Sequence, residues 1–118
     1  MTTDADRYAE AIAAELVEVA AGRIDGYDLA DPFDAVHTWH VELILDVEVT
    51  RSMTTGDVTA VEVTRTIGGP GCWCTFRDGQ DAEVLVRWGR DEARRYVRAD
   101  LVAPITDYLV ELAEAVTR

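Results

Sequence analysis

The sequence contains no lysine, and arginine supplies all 11 of its basic residues. Aspartate and glutamate number 23, which gives a formal net charge of −12 at pH 7. Nucleic acids and anionic membrane surfaces are themselves negative, so this balance argues against direct binding to either. No apolar run approaches the ~20 residues that a membrane-spanning helix needs, and residues 1–10 lack the basic start and apolar stretch of a signal peptide. We therefore expect a cytoplasmic protein that has basic partners, if any.

Cysteine is scarce as well: only Cys72 and Cys74 are present, and one residue separates them. A disulfide across one residue of a strand would be strained, so we expect two thiols, as in a reducing compartment. With His37 and His40 they could supply four zinc ligands, but a structural zinc site usually has two or more residues between paired cysteines, because the chain turns around the metal. No signature of a cysteine nucleophile surrounds Cys72. We expect buried thiols beside Phe76, no metal, no cofactor and no enzymatic activity.

The hydrophobic pattern changes twice along the 118 residues. Apolar residues at helical spacing predict helices over 4–21 and 100–117. Residues 23–39 are predicted to be irregular, apart from a short helical turn from Pro32 to about Val36 that Asp31 caps. Alternating residues predict four main strands and a short edge strand, over 40–50, up to Ile67, 72–77, 82–88 and 93–98.

Sequential antiparallel strands with short turns form a meander, and terminal helices can cover its apolar face. The sequence therefore predicts a single domain, residues 1–118, of the α+β class. Its fold is a four- to five-stranded antiparallel meander covered by amphipathic N- and C-terminal helices. The opposite sheet face is mixed, and we interpret it either as an interaction surface or as a surface covered by loop 23–39. The residues predicted to be buried include Val41, Leu43, Leu45, Ile67, Leu101, Ile105, Tyr108, Leu112 and Val116.

The negative charge is concentrated early in the chain. Residues 1–46 hold eleven acids and two arginines, residues 47–86 hold six and three, and residues 87–118 hold six and six. Adaptation to high salt, or a GC-rich genome that replaces lysine by arginine, explains an acidic, lysine-free composition without a functional role. Adaptation alone predicts an even coat of charge, whereas an uneven one predicts a negative surface that steers a charged partner.

Four aspartates recur at every third residue between positions 25 and 34. This spacing does not match a calcium loop, whose ligands occupy alternate positions. It indicates either a solvated loop with turn- and cap-forming aspartates, or a row of charges that imitates the phosphates of a duplex. In the second interpretation, Trp73 is an aromatic anchor beside the acids. The predicted partner-binding residues are Asp25, Asp28, Asp31, Asp34, Glu42, Glu48 and Trp73.

Residues 61–70 read VEVTRTIGGP, and a strand and a turn later residues 86–92 read VRWGRDE. This arrangement resembles a pattern in small acidic proteins of phages and mobile elements, which run helix, meander with a Gly-Gly-Pro break, Trp-Gly turn, helix. The resemblance covers residues 58–92 and brings no functional residue with it. It implies an anti-defence role, since several proteins of that kind are anti-CRISPR proteins or DNA mimics.

Two functions remain open at this point. The first is a non-enzymatic acidic inhibitor, of the anti-CRISPR or another anti-defence type, that engages the basic nucleic-acid-binding surface of a partner such as a CRISPR effector, with DNA mimicry as one mode. The second is a salt-adapted or high-GC cytoplasmic domain that forms a homodimer through its sheet, with its acidity serving solubility only.

Overall fold

The computed structural model of this chain describes residues 2–24, 26–28 and 31–116. Within these ranges, three helices accompany a two-stranded ribbon and a five-stranded antiparallel sheet of strand order β3-β4-β5-β6-β7, which confirms the predicted α+β meander. The elements in chain order are α1 (Asp4–Ala20), β1 (Arg23–Ile24), β2 (Tyr27–Asp28), α2 (Pro32–Leu43), β3 (Asp46–Arg51), β4 (Val58–Thr66), β5 (Gly71–Phe76), β6 (Ala82–Trp88), β7 (Asp91–Val97) and α3 (Ala99–Val116).

Helix α1 begins and ends as its local sequence predicts. The Thr3 hydroxyl accepts a hydrogen bond from the Asp6 N–H, and the Asp6 carboxylate accepts one from the Thr3 N–H, both at 3.1 Å, which forms a capping box. Gly22 follows the helix in the left-handed conformation, at φ +92°. Ile12 and Leu16 are buried on the face that lies over β6 and β7.

Helix α2 is the largest departure from the sequence prediction. The predicted strand over 40–50 is wrong in its first half, because residues 40–43 are helical and β3 begins only at Asp46. The alternation that suggested a strand does not correspond to burial, since Val41 is 63% exposed and Leu45 is 62% exposed. A short run of alternating residues is ambiguous between the two periods, and here the helical period prevails.

The reason for the longer helix lies in the residues that it buries. The Asp31 carboxylate caps α2 by accepting a hydrogen bond from the Phe33 N–H at 2.9 Å, and Pro32 follows in the first turn. Val36 and Trp39 are three residues apart and both completely buried. Only a helix continued beyond Val36 brings Trp39 to the core, so tertiary burial extends the predicted turn to twelve residues.

Strand β4 ends before Ile67, which is 70% exposed, so the prediction that Ile67 is buried is wrong. The pairing register of β4 with β5 shifts between Thr64 and Thr66. This bulge changes the direction of the chain, and Arg65 points to the helices, where it contacts Glu15.

Helix α3 buries a different stripe from the predicted one. The fully buried line consists of Val102, Ile105, Leu109 and Ala113. Of the predicted stripe only Ile105 is buried; Leu101 is 41% exposed, and Tyr108 and Leu112 are half-buried. The side chain of Val116 lies outside the described part of the structure. Tyr108 and Leu112 instead lie on the side of α3 that borders α2.

The three helices form one layer on one side of the sheet. Helix α1 lies over β6 and β7, α3 over β4, and α2 packs against α1 and α3. The Trp39 ring meets the Phe76 ring edge-on, with 6.4 Å between centroids. Within residues 23–39, β1 and α2 contact this helical layer, so the interpretation in which the segment folds over the mixed sheet face is wrong for its described part. No helix in the described ranges has the length and apolarity to cross a membrane.

Candidate functional site

The predicted partner-binding residues lie on two opposite sides of the molecule. Asp31 and Asp34 are exposed at the start of α2, and Glu42 is exposed near its end. Glu48 and Trp73 project from the sheet face that the helices leave uncovered, which we call the outward face. One flat partner surface therefore cannot contact all five.

The row of aspartates is also divided. Asp28 lies in β2 opposite Arg23 of β1. A hydrogen bond with Glu18 and, to a smaller extent, the charge of Asp28 raise the pKa of Arg23. Asp25 lies outside the described residues. The ribbon thus brings an arginine to Asp28, whereas Asp31 and Asp34 belong to α2.

Trp73 packs onto its own sheet. A Cβ atom placed on Gly71 would lie 2.6 Å from Cη2 of Trp73, so the ring rests on the glycine backbone. The Cζ atom of Arg87 lies 5.9 Å from the ring centroid, within cation–π distance. Glu62 and Leu85 complete a pocket of ≈ 210 Å³, which we call the outward pocket. Trp73 already has a cationic neighbour, and this weakens its interpretation as an anchor for a partner.

A second aromatic pocket lies between α2 and α3. It measures ≈ 290 Å³, and we call it the α2/α3 pocket. The Phe33 and His37 rings are parallel with centroids 6.3 Å apart, and the Phe33 ring meets the Tyr108 ring at 63° and 5.5 Å. Phe33 is 58% exposed, so these rings form walls that open to solvent. Glu111 and Leu112 of α3 complete the lining.

Two histidines share the hydroxyl group of Tyr108. Its oxygen lies 2.9 Å from Nδ1 of His37 and 3.0 Å from Nδ1 of His40. A phenol has one proton, so it donates to one imidazole and accepts the N–H of the other. Burial, and then the neighbouring His37, lower the pKa of His40, and burial raises the pKa of Tyr108. A tyrosine that stays protonated at neutral pH acts here as a ring wall and a hydrogen-bonding group rather than as a base.

The two helices that form the α2/α3 pocket carry exposed carboxylates. Glu111 lines the pocket, Asp107 lies one helical turn before Glu111, and Asp34 follows Phe33 directly. Neither these three acids nor Asp31 forms an ion pair with any residue that the structure describes. We call the pocket and these four acids the α2/α3 surface. Unpaired acids beside exposed aromatic rings are features of a surface that binds cations.

Four arginines of the C-terminal third pair with carboxylates elsewhere. Nε of Arg87 is 3.1 Å from Oε1 of Glu92, and Nη2 of Arg98 is 2.8 Å from Oδ2 of Asp100. The remaining ion pairs of that region join Arg94 to Glu83 and Glu92, and Arg95 to Asp6. Arginines thus pair with several carboxylates near β6 and β7, whereas the four acids of the α2/α3 surface have no arginine partner among the described residues.

The two cysteines lie beneath the helices. Cys72 and Cys74 are completely buried on the inward face of β5, as predicted. The hydrogen bond with Cys72 and burial raise the pKa of Cys74 well above its ordinary value. His37 and His40 lie on α2 instead, and the described ranges contain no group of three or more His, Cys, Asp or Glu side chains that could hold a metal.

Sequence reasoning did not identify the α2/α3 pocket. It placed Tyr108 in a buried stripe and began a strand at His40. The Asp31-Pro32 start could have revealed part of the pocket, because Phe33 and His37 are four residues apart and share one face of a helix that continues past Val36. The contact of that face with Tyr108 follows only from the packing of two helices.

No protein-family model matches the sequence, and no curated protein and no solved structure was found to be similar to it.

Proposed function

We propose that this protein is a non-enzymatic acidic binding domain that occupies a basic, nucleic-acid-binding surface of a partner protein. CRISPR effectors are one class of protein with such a surface, and an anti-defence inhibitor is the role that the proposal implies. The observation that carries it is the α2/α3 surface, where Glu111 lines an open aromatic pocket and three further exposed acids lie on the same two helices. None of the four has an ion partner among the described residues.

Electrostatics supports this assignment in two ways. An uneven negative field raises the rate at which a basic partner associates, and its effect falls as salt screens charges beyond about 8 Å at physiological ionic strength. The same field repels nucleic acid, so the protein competes with nucleic acid for a partner rather than binding it. Rings beside the acids add the apolar contact that charge alone does not supply.

The test compares two variants of equal charge. In the first, the acids of the α2/α3 surface are neutralised by Asp31→Asn, Asp34→Asn, Asp107→Asn and Glu111→Gln; asparagine also caps helices, so α2 keeps its start. In the control, four exposed acids elsewhere, which also lack an ion partner among the described residues, are changed by Glu10→Gln, Asp57→Asn, Asp78→Asn and Asp91→Asn. Each immobilised protein is exposed to a nuclease-treated lysate of the cells that express the chain.

We expect the wild type and the control to capture a basic nucleic-acid-binding protein that added duplex DNA displaces, and the first variant to lose it. Equal capture by both variants, or a captured protein that DNA does not displace, would overturn the proposal. Failure of the wild type to capture any basic protein would do the same.

The outward face supports a second candidate, a homodimer formed through the sheet. Leu85 and Trp73 are half-buried there in the absence of any covering helix among the described residues. Sedimentation equilibrium should then show a dimer in the wild type and a monomer in Leu85→Arg. A monomer in both proteins would remove this candidate.

A further inference from the structure

The outward pocket and the α2/α3 pocket have similar linings. Each combines exposed aromatic surface, a leucine and a glutamate: Trp73, Leu85 and Glu62 in the outward pocket, and Phe33, His37, Tyr108, Leu112 and Glu111 in the other. The outward pocket also contains the guanidinium of Arg87, which lies over the Trp73 ring. The outward pocket thus shows, within the same protein, that a lining of this kind accommodates an arginine side chain.

The α2/α3 pocket has no arginine among its lining residues. A further pocket, between α1 and the β1–β2 ribbon, again contains an arginine, with Nη1 of Arg23 placed 3.0 Å from Oε2 of Glu18. Glu111 differs from Glu18 in having no ion pair with a described residue. The α2/α3 pocket has the walls and the carboxylate of an arginine site, and no residue that the structure describes supplies its cation.

We infer that the α2/α3 pocket binds an arginine side chain of the partner, with the guanidinium against the Phe33 and Tyr108 rings and in contact with the Glu111 carboxylate. This inference rests on the proposed function for the source of the arginine. A guanidinium is planar, weakly hydrated and able to stack on rings, whereas the lysine ammonium is a compact, strongly hydrated charge. The acids Asp31, Asp34 and Asp107 attract either cation, but the rings select arginine.

The experiment uses two probes of equal charge, a short peptide of alternating glycine and arginine and its lysine counterpart. Binding to the full-length protein is followed by NMR at about pH 7.5, above the ordinary histidine pKa of about 6.5. We expect the arginine peptide to bind about 3- to 10-fold more tightly than the lysine peptide, and to shift the resonances of Tyr108 and Phe33.

Phe33→Leu and Tyr108→Leu should each reduce this preference to about 1 to 2-fold, because the ring is lost while the charge is unchanged. Tyr108→Phe, which keeps the ring, should retain the preference, and so should Leu45→Ala, which removes an exposed apolar side chain outside the pocket. Circular dichroism checks that each variant is folded. If Tyr108→Leu does not fold, the comparison of Phe33→Leu with Tyr108→Phe still tests whether the arginine preference depends on the rings.

Equal binding of the two peptides to the wild type, or an arginine preference that survives both ring substitutions, would overturn the inference. The lysate experiment is independent of this result. Loss of capture on neutralising the acids, combined with no arginine preference, would leave the proposed function and remove the pocket assignment. An arginine preference without a nucleic-acid-binding partner would leave the pocket and remove the proposed function.

Discussion

The outward pocket and the α2/α3 pocket present the same kinds of side chain on opposite sides of the molecule. In the outward pocket, Arg87 lies over Trp73, and Trp73 rests on Gly71. The cation that contacts this aromatic ring is therefore a residue of the same sheet. In the α2/α3 pocket, the exposed Phe33 and the half-buried Tyr108 lie beside Glu111, which has no ion partner among the described residues. An exposed aromatic side chain therefore does not by itself indicate a binding site. Whether it is available to a partner depends on whether a charged residue of the same chain already contacts it.

The difference follows from how each pocket is built. The strand pairing that holds the outward pocket brings residues 71, 73 and 87 together within one sheet, and Arg87 is the register partner of Gly71. The α2/α3 pocket joins two helices, one from each half of the chain. Arg87, Arg95 and Arg98 instead pair with carboxylates near β6 and β7. Local pairing thus completes one pocket and leaves the other acidic.

The largest expected effect comes from detaching α2, one of the two helices that form the α2/α3 pocket, from the core. Trp39→Ala should destabilise the protein by about 3–5 kcal/mol, because a completely buried ring is lost and with it the Nε1–H donated to Oε2 of Glu15 at 3.0 Å. Since Trp39 anchors α2 to the core, the α2/α3 pocket should lose its order while the outward pocket persists. Urea denaturation measures the loss. Trp88→Ala, at a residue that is 37% exposed, is the control, and an equal cost for both would contradict this account.

A smaller change tests the packing of Trp73. Gly71→Ala places a methyl group where Cη2 of Trp73 lies 2.6 Å away, so the ring must move off the sheet and away from Arg87. We expect a loss of about 1 kcal/mol and a red shift of tryptophan emission, since the ring becomes exposed. Gly69→Ala is the control, because its added Cβ meets no atom within 4 Å. If both variants emit like the wild type, the ring does not depend on Gly71.

Removing the internal cation should make the two pockets alike. Arg87→Ala deletes the cation over Trp73 and the ion pair with Glu92, both at an exposed site, so a loss of about 0.5–1 kcal/mol is expected. The variant should also gain a response of Trp73 emission to the glycine–arginine peptide, and we expect no such response in the wild type. Arg90→Ala, which changes an exposed arginine outside the pocket, should show neither effect. Absence of any response in Arg87→Ala would show that the pocket lining alone is insufficient.

The smallest effect concerns pH and the α2/α3 pocket. His40 has a lowered pKa in the folded protein, caused by burial and then by His37, so between that value and the ordinary 6.5 the unfolded chain binds more protons than the folded one. Stability therefore rises with pH through this window and is lost as the pH falls through it. Wild type should lose more stability than His40→Gln between pH 7.5 and pH 5, at constant ionic strength. Denaturant unfolding at both pH values gives the difference; identical losses would exclude His40 as the cause.

Local sequence was sufficient for much of the fold. The cap at Thr3, the Asp31-Pro32 helix start, the alternating strands β4 to β6 and the glycine-containing turns are set by neighbouring residues, and the prediction locates them within a few positions. The extent of α2 was not predictable in this way. Residues 40–45 satisfy the strand period, and the choice of helix depends on Trp39 reaching Phe76, which is distant in the sequence.

The predicted site was recovered only in part for the same reason. Asp31 and Asp34 belong to the α2/α3 surface, whereas Glu48 and Trp73 project on the other side of the sheet, as the alternation within each strand requires. Tyr108 could not be assigned to the surface from the sequence, because which stripe of α3 is buried depends on where α2 packs. Phe33 is 58% exposed, and its place in the wall of the pocket follows only from the packing of α2 beside α3.

Composition and local pattern alone determined that this protein is acidic, α+β and built on an antiparallel meander, because charge counts, caps, turns and periodicity are properties of residues close together in the chain. Tertiary structure alone decided which carboxylates find an arginine and which aromatic rings stay open. Those outcomes depend on contacts between residues far apart in the sequence, such as Arg95 with Asp6, which are 89 positions apart. Such contacts form only when the helices pack on the sheet.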